Sequence, residues 1–314
     1  QKEIADYTRT IELNGAPVEH VARAMFYRGI TFGEQGQTDK ELADYTRIAG
    51  MSGVPVSLLD SVYLNRGVAY GKVNQHDKAV VDYTRVIDRS GASIGEVALS
   101  LVNRAISYNR MKQTDKAMAD YTRVIEMKGA PIQQVAKGLV NRAILYGQLQ
   151  QHDKEIADDT RLIELPGVGT AQVAKALMNR GIAYGDMQQS DKEMADYGRV
   201  IALKGAPPEQ VAKAYCNRGV LYERQKDLDQ AIAEYSKAIE LPGAPAIWVG
   251  QTLINRGVLP ARQTPPAEAI ADYTKVTTLR GALVDQVAEA LVDRAISTNK
   301  MGQQDKAMAD YTQV

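Results

Sequence analysis

The sequence predicts an all-α fold, a solenoid of antiparallel helix pairs. The first observation is an Asp-Tyr pair that returns every 38 residues, at positions 6, 44, 82, 120, 196, 272 and 310, with the variants Asp158-Asp159 and Glu234-Tyr235 on the same grid. A constant period of this length is typical of stacked structural repeats. The second observation is a glycine that ends every unit, and the third is the lack of any alternating, strand-like pattern.

Each unit has the pattern of two helices, as the stretch from Pro131 to Gly167 illustrates. Pro131 suits the first position of a helix. Apolar residues then recur at spacings of three or four, which predicts one face of an amphipathic helix, at Val135, Leu139, Ala143, Tyr146 and Leu149. A polar break over 150–153 ends this helix. A shorter helix follows, and Gly167 ends it because glycine tolerates the left-handed conformation.

We therefore expect 17 helices in a single repeat array over residues 1–314. A leading helix over 1–13 belongs to a truncated repeat. Eight helix pairs follow at about 17–51, 55–89, 93–127, 131–165, 169–203, 207–241, 245–279 and 283–314. Because the chain begins and stops inside a repeat, we expect it to be a piece of a longer protein.

The composition limits the classes of partner. Lys plus Arg equals Asp plus Glu at 38 each, so there is no long-range attraction to nucleic acid or to an anionic membrane. No apolar run approaches the roughly 18 residues of a membrane span. Cys216 is the single cysteine, which excludes an intrachain disulfide and favours a reducing compartment such as the cytoplasm. We predict neither a nucleic-acid nor a membrane partner.

Motifs in both helices resemble the tetratricopeptide repeat. Asn179-Arg180-Gly181-Ile182-Ala183-Tyr184 followed by Ala195-Asp196-Tyr197 is similar to a bacterial subtype with Asn-Arg-Gly in the first helix and Ala-Asp-Tyr in the second. The small residue that opens the second helix in this family is replaced by Glu41, Glu155 and Glu193. The resemblance implies a right-handed superhelix whose first helices line a concave face that binds proteins or peptides. The period exceeds the family's 34 residues by about four, which we expect to lengthen each first helix by a turn.

An arginine lies on the apolar face of every first helix, and an acidic residue lies on that of the second. Burying either charge alone would cost several kcal/mol, so each needs a partner. Two pairings are open: Arg104 with Asp120 of its own helix pair, or with Asp82 of the preceding one. Structural ion pairs are favoured over a row that binds anions, because the two sets match in number: Arg66, Arg104, Arg142, Arg180, Arg218 and Arg256 with Asp82, Asp120, Asp158, Asp196, Glu234 and Asp272.

The residue before most of these arginines is asparagine, at Asn65, Asn103, Asn141, Asn179, Asn217 and Asn255. Such a ladder resembles those of family members that hold the backbone of an extended peptide, since an amide offers both donor and acceptor. The alternative is that these asparagines only form hydrogen bonds with nearby polar groups of the chain itself. Two apolar rows accompany them: the Leu64 row (Leu64, Val102, Val140, Met178, Cys216, Ile254) and the Val68 row (Val68, Ile106, Ile144, Ile182, Val220, Val258).

Charged residues follow the same face. Lys137, Lys175 and Lys213 form a short basic run that would favour an acidic partner segment, unless it is only a solvated helix face. At the groove edge the charged and polar residues are Lys72, Arg110, Arg224, Arg262 and Lys300, with Glu34, Gln148 and Asp186. The Lys and Asn of the family's clamp for C-terminal carboxylates are Val and Ile here, so that mode of capture is not expected.

The sequence offers no catalytic, metal or cofactor site. Catalysis needs convergent groups, and the three histidines, His20, His76 and His152, lie in different repeats. We therefore expect no enzyme and favour a scaffold that binds an extended peptide or a partner surface in its groove. Two alternatives stay open: a regulatory or sensor arm of a larger signalling or effector enzyme, and a self-assembling module that stacks end to end.

Three places break the repeat pattern. Asp159 replaces the tyrosine beside Asp158, and Gly198 replaces a threonine. Pro260 falls inside a first helix and is followed by Pro265-Pro266, which predicts a local kink because proline removes a helical hydrogen bond.

Overall fold

The computed structural model describes residues 2–259 and 267–314, and over these ranges the chain forms 17 α-helices and no strand. This confirms the predicted fold class, an all-α repeat solenoid. The kink expected at Pro260, the Pro265-Pro266 turn and Arg262 of the groove edge lie outside the described residues.

The helices belong to two compact units. Unit 1 comprises residues up to Arg161 together with 165–167, and unit 2 comprises 162–164 and 168–314. The helices of unit 1 are α1 Lys2–Glu12, α2 Val18–Glu34, α3 Thr38–Ala49, α4 Val56–Lys72, α5 His76–Asp88, α6 Ile94–Arg110, α7 Thr114–Glu126, α8 Ile132–Gln148 and most of α9 His152–Glu164. Those of unit 2 are α10 Thr170–Asp186, α11 Ser190–Ala202, α12 Pro208–Arg224, α13 Leu228–Ile239, α14 Ala246–Val258, α15 Ala267–Thr278, α16 Val284–Lys300 and α17 Gln304–Tyr311.

Consecutive helices pair as antiparallel hairpins. Gly33 of α2 faces Glu41 of α3, and Gly29, one turn earlier, faces Tyr45, one turn later. The approach is close: a Cβ on Gly29 would lie 2.6 Å from the Tyr45 ring. The small residue of the first helix therefore leaves room for the tyrosine of the second, which is buried.

Neighbouring hairpins share their core within each unit. In unit 1, Met25 of α2, Tyr45 and Ile48 of α3 and Leu58 and Val62 of α4 form one apolar cluster. In unit 2, a similar cluster joins residues of α10, α11 and α12. A hairpin therefore buries its apolar face only when the next hairpin covers it, as expected for repeat proteins.

The helix ends differ from the expectation in three details. Pro131 is the cap that precedes α8, with φ −57° and ψ 133°, so the helix begins at Ile132. The polar break is shorter than 150–153, because α9 already begins at His152. Leu149 is exposed beyond the end of α8 and does not continue its apolar face.

The turn inside each hairpin has a left-handed residue even where glycine is missing. Gly36 and Gly302 have positive φ, and so do Asn74, Lys112, Gln150, Gln188 and Lys226 at the same position of other hairpins. After α6, the amide of Gln113 bonds the carbonyl of Tyr108 at 2.8 Å and that of Lys112 bonds Asn109 at 2.9 Å. This pattern ends a helix on a left-handed residue. The turn geometry is thus kept without the residue that best tolerates it.

Candidate functional site

The arginine of each first helix lies against the carboxylate of its own hairpin. Arg104 donates from Nε and Nη2 to the two carboxylate oxygens of Asp120, both at 2.8 Å. Asp82, the alternative partner, is bound in the same way by Arg66. The remaining pairs are Arg28–Asp44, Arg142–Asp158, Arg180–Asp196, Arg218–Glu234, Arg256–Asp272 and Arg294–Asp310.

A third contact of the guanidinium reaches the preceding hairpin. Nη1 of Arg104 donates to the hydroxyl of Thr84 in α5 at 2.9 Å. Arg28, Arg142, Arg256 and Arg294 make the equivalent bond, to Thr8, Thr122, Ser236 and Thr274. One arginine therefore closes its own hairpin and ties it to its neighbour.

Arg218 departs from this arrangement. Its acidic partner is Glu234, one methylene longer than aspartate, and the Nε–Oε2 distance is 3.3 Å without hydrogen-bond geometry. The preceding hairpin has Gly198 where the hydroxyl residue stands elsewhere, so the third contact is absent. Lys237 instead donates to Glu234 at 2.7 Å. The sequence variants at 198 and 234 thus meet at the same arginine.

The asparagines are half-buried, and several already have partners. Asn65 and Asn141 donate one amide hydrogen to the carbonyl four residues earlier in their own helix, at 2.8 and 2.9 Å. Asn255 donates to the Cys216 sulfur at 3.6 Å, and Asn217 lies beside the Tyr197 hydroxyl. A side-chain amide has two hydrogens and an acceptor oxygen, so one such bond leaves further capacity for a ligand.

The two apolar rows have different environments. The Leu64 row is buried at Leu64, Val102, Met178, Cys216 and Ile254. In the Val68 row, Val68, Ile106 and Ile144 of unit 1 are about two-fifths exposed, and Ile182 of unit 2 is 47% exposed. The Leu64 row is therefore packing between hairpins, whereas the Val68 row is exposed at Val68, Ile106, Ile144 and Ile182 and half-buried at Val220 and Val258.

The charged residues of this face are only partly free to meet a ligand. Lys137 and Lys175 are exposed, whereas Lys213 bonds Glu209 at 2.7 Å and lies over the Trp248 ring. This contact lowers the pKa of Glu209. Lys72, which the sequence predicts at the edge of a groove, lies 3.2 Å from Glu41. Of the three lysines of the basic run, Lys213 is therefore already paired with an acidic residue of the chain.

A cavity of about 220 Å³ lies among α10, α11 and α12 of unit 2. Its lining includes Asn217 and two members of the Val68 row, together with Asp186, Glu193, Tyr197 and Arg224. Glu193 is 6% exposed; its Oε1 accepts a hydrogen bond from Tyr197 at 3.2 Å, and its buried Oε2 has no hydrogen-bond partner. Burial raises the pKa of Glu193, and Asp186 adds to this, while the Tyr197 bond and Arg224 oppose it.

Sequence reasoning did not identify Glu193 as a site residue, although a signal was present. Each of the three glutamates that open a second helix faces a glycine in the first: Gly33 and Glu41, Gly147 and Glu155, Gly185 and Glu193. A Cβ on Gly185 would lie 2.8 Å from the Glu193 carboxyl group. The missing side chain of the glycine makes the space that the buried carboxylate occupies.

Over residues 2–259 and 267–314, no group of three or more His, Cys, Asp or Glu side chains is arranged to hold a metal ion. No helix in the same ranges has both the length and the apolar character needed to cross a membrane. His76 and His152 each begin a second helix, and His152 Nδ1 lies 3.0 Å from Glu155.

Comparison with known proteins identifies tetratricopeptide repeats in the chain. Three stretches match family models of this repeat: residues 60–92, 99–127 and 212–241. A search of curated proteins found no match. These matches do not address the 38-residue period or the bacterial subtype that the motifs resemble.

Solved structures share the fold at low sequence identity. The C-terminal part of a TPR repeat-containing protein from Cytophaga hutchinsonii is 14% identical with a TM-score of 0.63, over 84% of this chain and 98% of that one. The apo form of RapI is 12% identical with a TM-score of 0.66, over 93% and 86%. A tetratricopeptide repeat protein from Parabacteroides merdae is 17% identical with a TM-score of 0.53, over 91% and 98%. Tetratricopeptide arrays are in general non-catalytic scaffolds for protein–protein interaction.

Proposed function

We propose that this chain is a non-catalytic scaffold that binds an extended peptide, or an extended segment of a partner protein, along the face of its first helices. The observation that carries the proposal is the exposure of the Val68 row. Aliphatic side chains at one register of consecutive first helices, in contact with solvent and flanked by asparagines, form a surface that a ligand would cover. The even balance of charges favours a protein ligand over nucleic acid.

The spacing of the Val68 row suits an extended ligand. Neighbouring first helices pack at about 10 Å. An extended chain in the polyproline II conformation rises about 3.1 Å per residue with about three residues per turn, so every third side chain lies on the same face. One row member therefore corresponds to about three ligand residues. We expect ligands with apolar side chains at every third position, since these would contact Val68, Ile106 and Ile144 in turn.

The asparagines would recognise the ligand backbone. Asn65 and Asn141 each keep an acceptor oxygen and one hydrogen after bonding their own helix. Such groups pair with any peptide unit, so they add affinity without selecting a sequence. We propose that the arginine–carboxylate pairs serve the scaffold, because their guanidinium groups already face carboxylates and hydroxyls of the chain.

A peptide library displayed on phage tests the proposal. The library is selected on the full chain, and the selected peptides are then measured against two variants by fluorescence polarisation. In the first variant, Val68, Ile106 and Ile144 are serine. In the matched control, three exposed apolar residues outside the first helices, Leu13, Val81 and Met308, are serine.

We expect at least a tenfold loss of affinity in the first variant and none in the control. Replacing Asn103, Asn141, Asn179 and Asn217 with alanine should weaken all selected peptides alike. Equal binding by all variants, with helicity unchanged, would place the ligand on another face and contradict the proposal.

A further inference from the structure

The cavity beside Glu193 differs from the equivalent places in unit 1 in the partners of its glutamate. At the same register, Glu41 lies 3.2 Å from the ammonium group of Lys72, which comes from the next hairpin. Glu155 accepts a contact at 3.0 Å from Nδ1 of His152. In both cases a nitrogen of the chain reaches the carboxylate, which is buried at Glu41 and partly buried at Glu155.

Glu193 has no such nitrogen on its second oxygen. The residue at the register of Lys72 is Arg224, which lines the cavity but is exposed and forms no ion pair with Glu193 within 4.0 Å. A buried carboxylate oxygen without a donor is costly, and a charged donor is the partner that relieves the cost most. The Glu193 carboxylate occupies the space that the missing side chain of Gly185 leaves, and Glu193 forms part of the cavity wall.

The remaining lining suits an aliphatic chain that ends in a cation. Ile182 and Val220 provide apolar walls, and Asn217 provides an amide between them and Tyr197. Asp186 adds a second carboxylate, so the acidic groups of the lining outnumber its one cation, Arg224. The Glu41–Lys72 contact shows that a lysine side chain can present its ammonium group to a carboxylate at this register.

We infer that this cavity binds a lysine side chain of the ligand, with its ammonium group on Glu193 and its methylenes against Ile182 and Val220. The inference rests on the proposed function, because the cavity opens on the face that carries the Val68 row and the asparagines. The inference predicts that the bound ligand has a lysine at the position that faces α10, α11 and α12 of unit 2.

The test uses small probes and methyl NMR of the full chain. Nα-acetyl-lysine methylamide is titrated while the isoleucine methyl signals are followed. The norleucine analogue, which lacks the ammonium group, and the glutamate analogue are the control probes. Ile182 lines the cavity and reports binding, and Ile144, at the same register in unit 1, is the internal reference.

We expect the lysine probe to shift the Ile182 methyl signal, with at least tenfold higher affinity than the norleucine probe, and to leave Ile144 unchanged. Glu193→Gln should lower the affinity about tenfold, while Glu41→Gln should not change it. Glu193→Ala is a second variant, since alanine stands at this register in other hairpins, for example at Ala79 and Ala117. Arg224→Met should strengthen binding by removing a competing cation.

Several outcomes would overturn the inference: equal affinity of the lysine and norleucine probes, tighter binding of the glutamate probe, or unchanged affinity in both Glu193 variants. Tenfold tighter binding of n-butylammonium than of the lysine probe would indicate a free amine as the ligand. The proposed function fails separately. If the Val68, Ile106 and Ile144 variant binds the selected peptides as tightly as the native chain, the scaffold proposal is contradicted. If the lysine probe still binds at Glu193 in that case, the lysine site is supported independently.

Discussion

The guanidinium of Arg66 and the carboxylate of Asp82 form a two-point ion pair, with Nε–Oδ2 and Nη2–Oδ1 distances of 2.7 Å. Arg66 lies in α4 and Asp82 in α5, and both are buried. Asp82 has a second cation nearby, Arg85, at 3.5 Å, but the Arg85 side chain is half-exposed. The same carboxylate thus has one buried and one solvated partner.

We predict that Arg66→Met lowers the free energy of unfolding of unit 1 by about 3–5 kcal/mol, because Asp82 would stay buried without its partner. Urea unfolding, with amide hydrogen exchange in α4 and α5, measures the loss. Arg85→Met is the matched control and should cost less than about 1 kcal/mol, as exposed pairs do. Unchanged stability of Arg66→Met would rule out a structural role for the pair.

We predict that Gly198→Thr stabilises unit 2. A Cβ at Gly198 meets no atom within 4 Å, and the hydroxyl would stand where other hairpins bond the arginine Nη1. Replacing a helical glycine by threonine contributes a few tenths of a kcal/mol, since threonine is a poorer helix former than alanine, and the hydrogen bond contributes about another 1 kcal/mol. Thermal unfolding of the Thr and Val variants separates the two effects, since valine has the same β-branched shape and a similar helix propensity but lacks the hydroxyl. A Thr variant no more stable than the Val variant would show that Arg218 does not use the hydroxyl.

Lys112→Gly is expected to stabilise unit 1 by about 0.5–1 kcal/mol. Lys112 has φ 59°, a conformation that costs non-glycine residues energy and costs glycine little. Urea unfolding measures the gain. Arg123→Gly, at an exposed site inside α7, is the control and should cost about 1 kcal/mol. Destabilisation by both variants would contradict a strained turn.

The raised pKa of Glu193 predicts a pH dependence of stability. The native state holds this proton more tightly than the unfolded chain, so the contribution of Glu193 is greatest below its ordinary pKa of 4.5 and is lost as pH rises through the raised value. Relative to Glu193→Gln, the unfolding free energy of the native chain should therefore fall from pH 4 towards neutrality. The charged and titratable groups that face Glu193, Asp186, Tyr197 and Arg224, are common to both proteins.

Thermal unfolding of both proteins across this pH range gives the difference directly. Glu209→Gln is a control for which the pH dependence of stability should be the opposite. Lys213 lowers the pKa of Glu209, so the stabilising effect of Glu209 is lost as pH falls. A pH-independent difference for Glu193→Gln would mean that Glu193 has an ordinary pKa.

Much of the fold could be predicted because it depends on local patterns. The 3.6-residue periodicity, the glycine after each second helix and the small residues opposite the tyrosines are all visible in the chain. The sequence predicts that α8 begins at Pro131, but Pro131 has an extended ψ and the helix begins one residue later. The sequence does not predict the left-handed turn residues Lys112 and Gln150, because neither is a glycine.

The site was only partly predictable. The rows of asparagines and aliphatic residues could be read from the repeat, but exposure depends on how a neighbouring hairpin packs. The Leu64 and Val68 rows have similar composition, yet Val102 is 1% exposed and Ile106 is 39% exposed. The cavity at Glu193 was not predictable as a site, because it combines residues of three helices.

By itself the sequence determined the all-α repeat architecture, because helix periodicity is visible within a few turns of the chain. It also determined that every charge on an apolar helix face needs a partner, because burying an unpaired ion costs free energy wherever it occurs. Only the tertiary structure decided that Arg104 binds Asp120 and also Thr84, that the Val68 row faces solvent, and that Glu193 is left with an unpaired oxygen. These depend on distances between residues 16 or more apart, which the packing of one helix against the next sets.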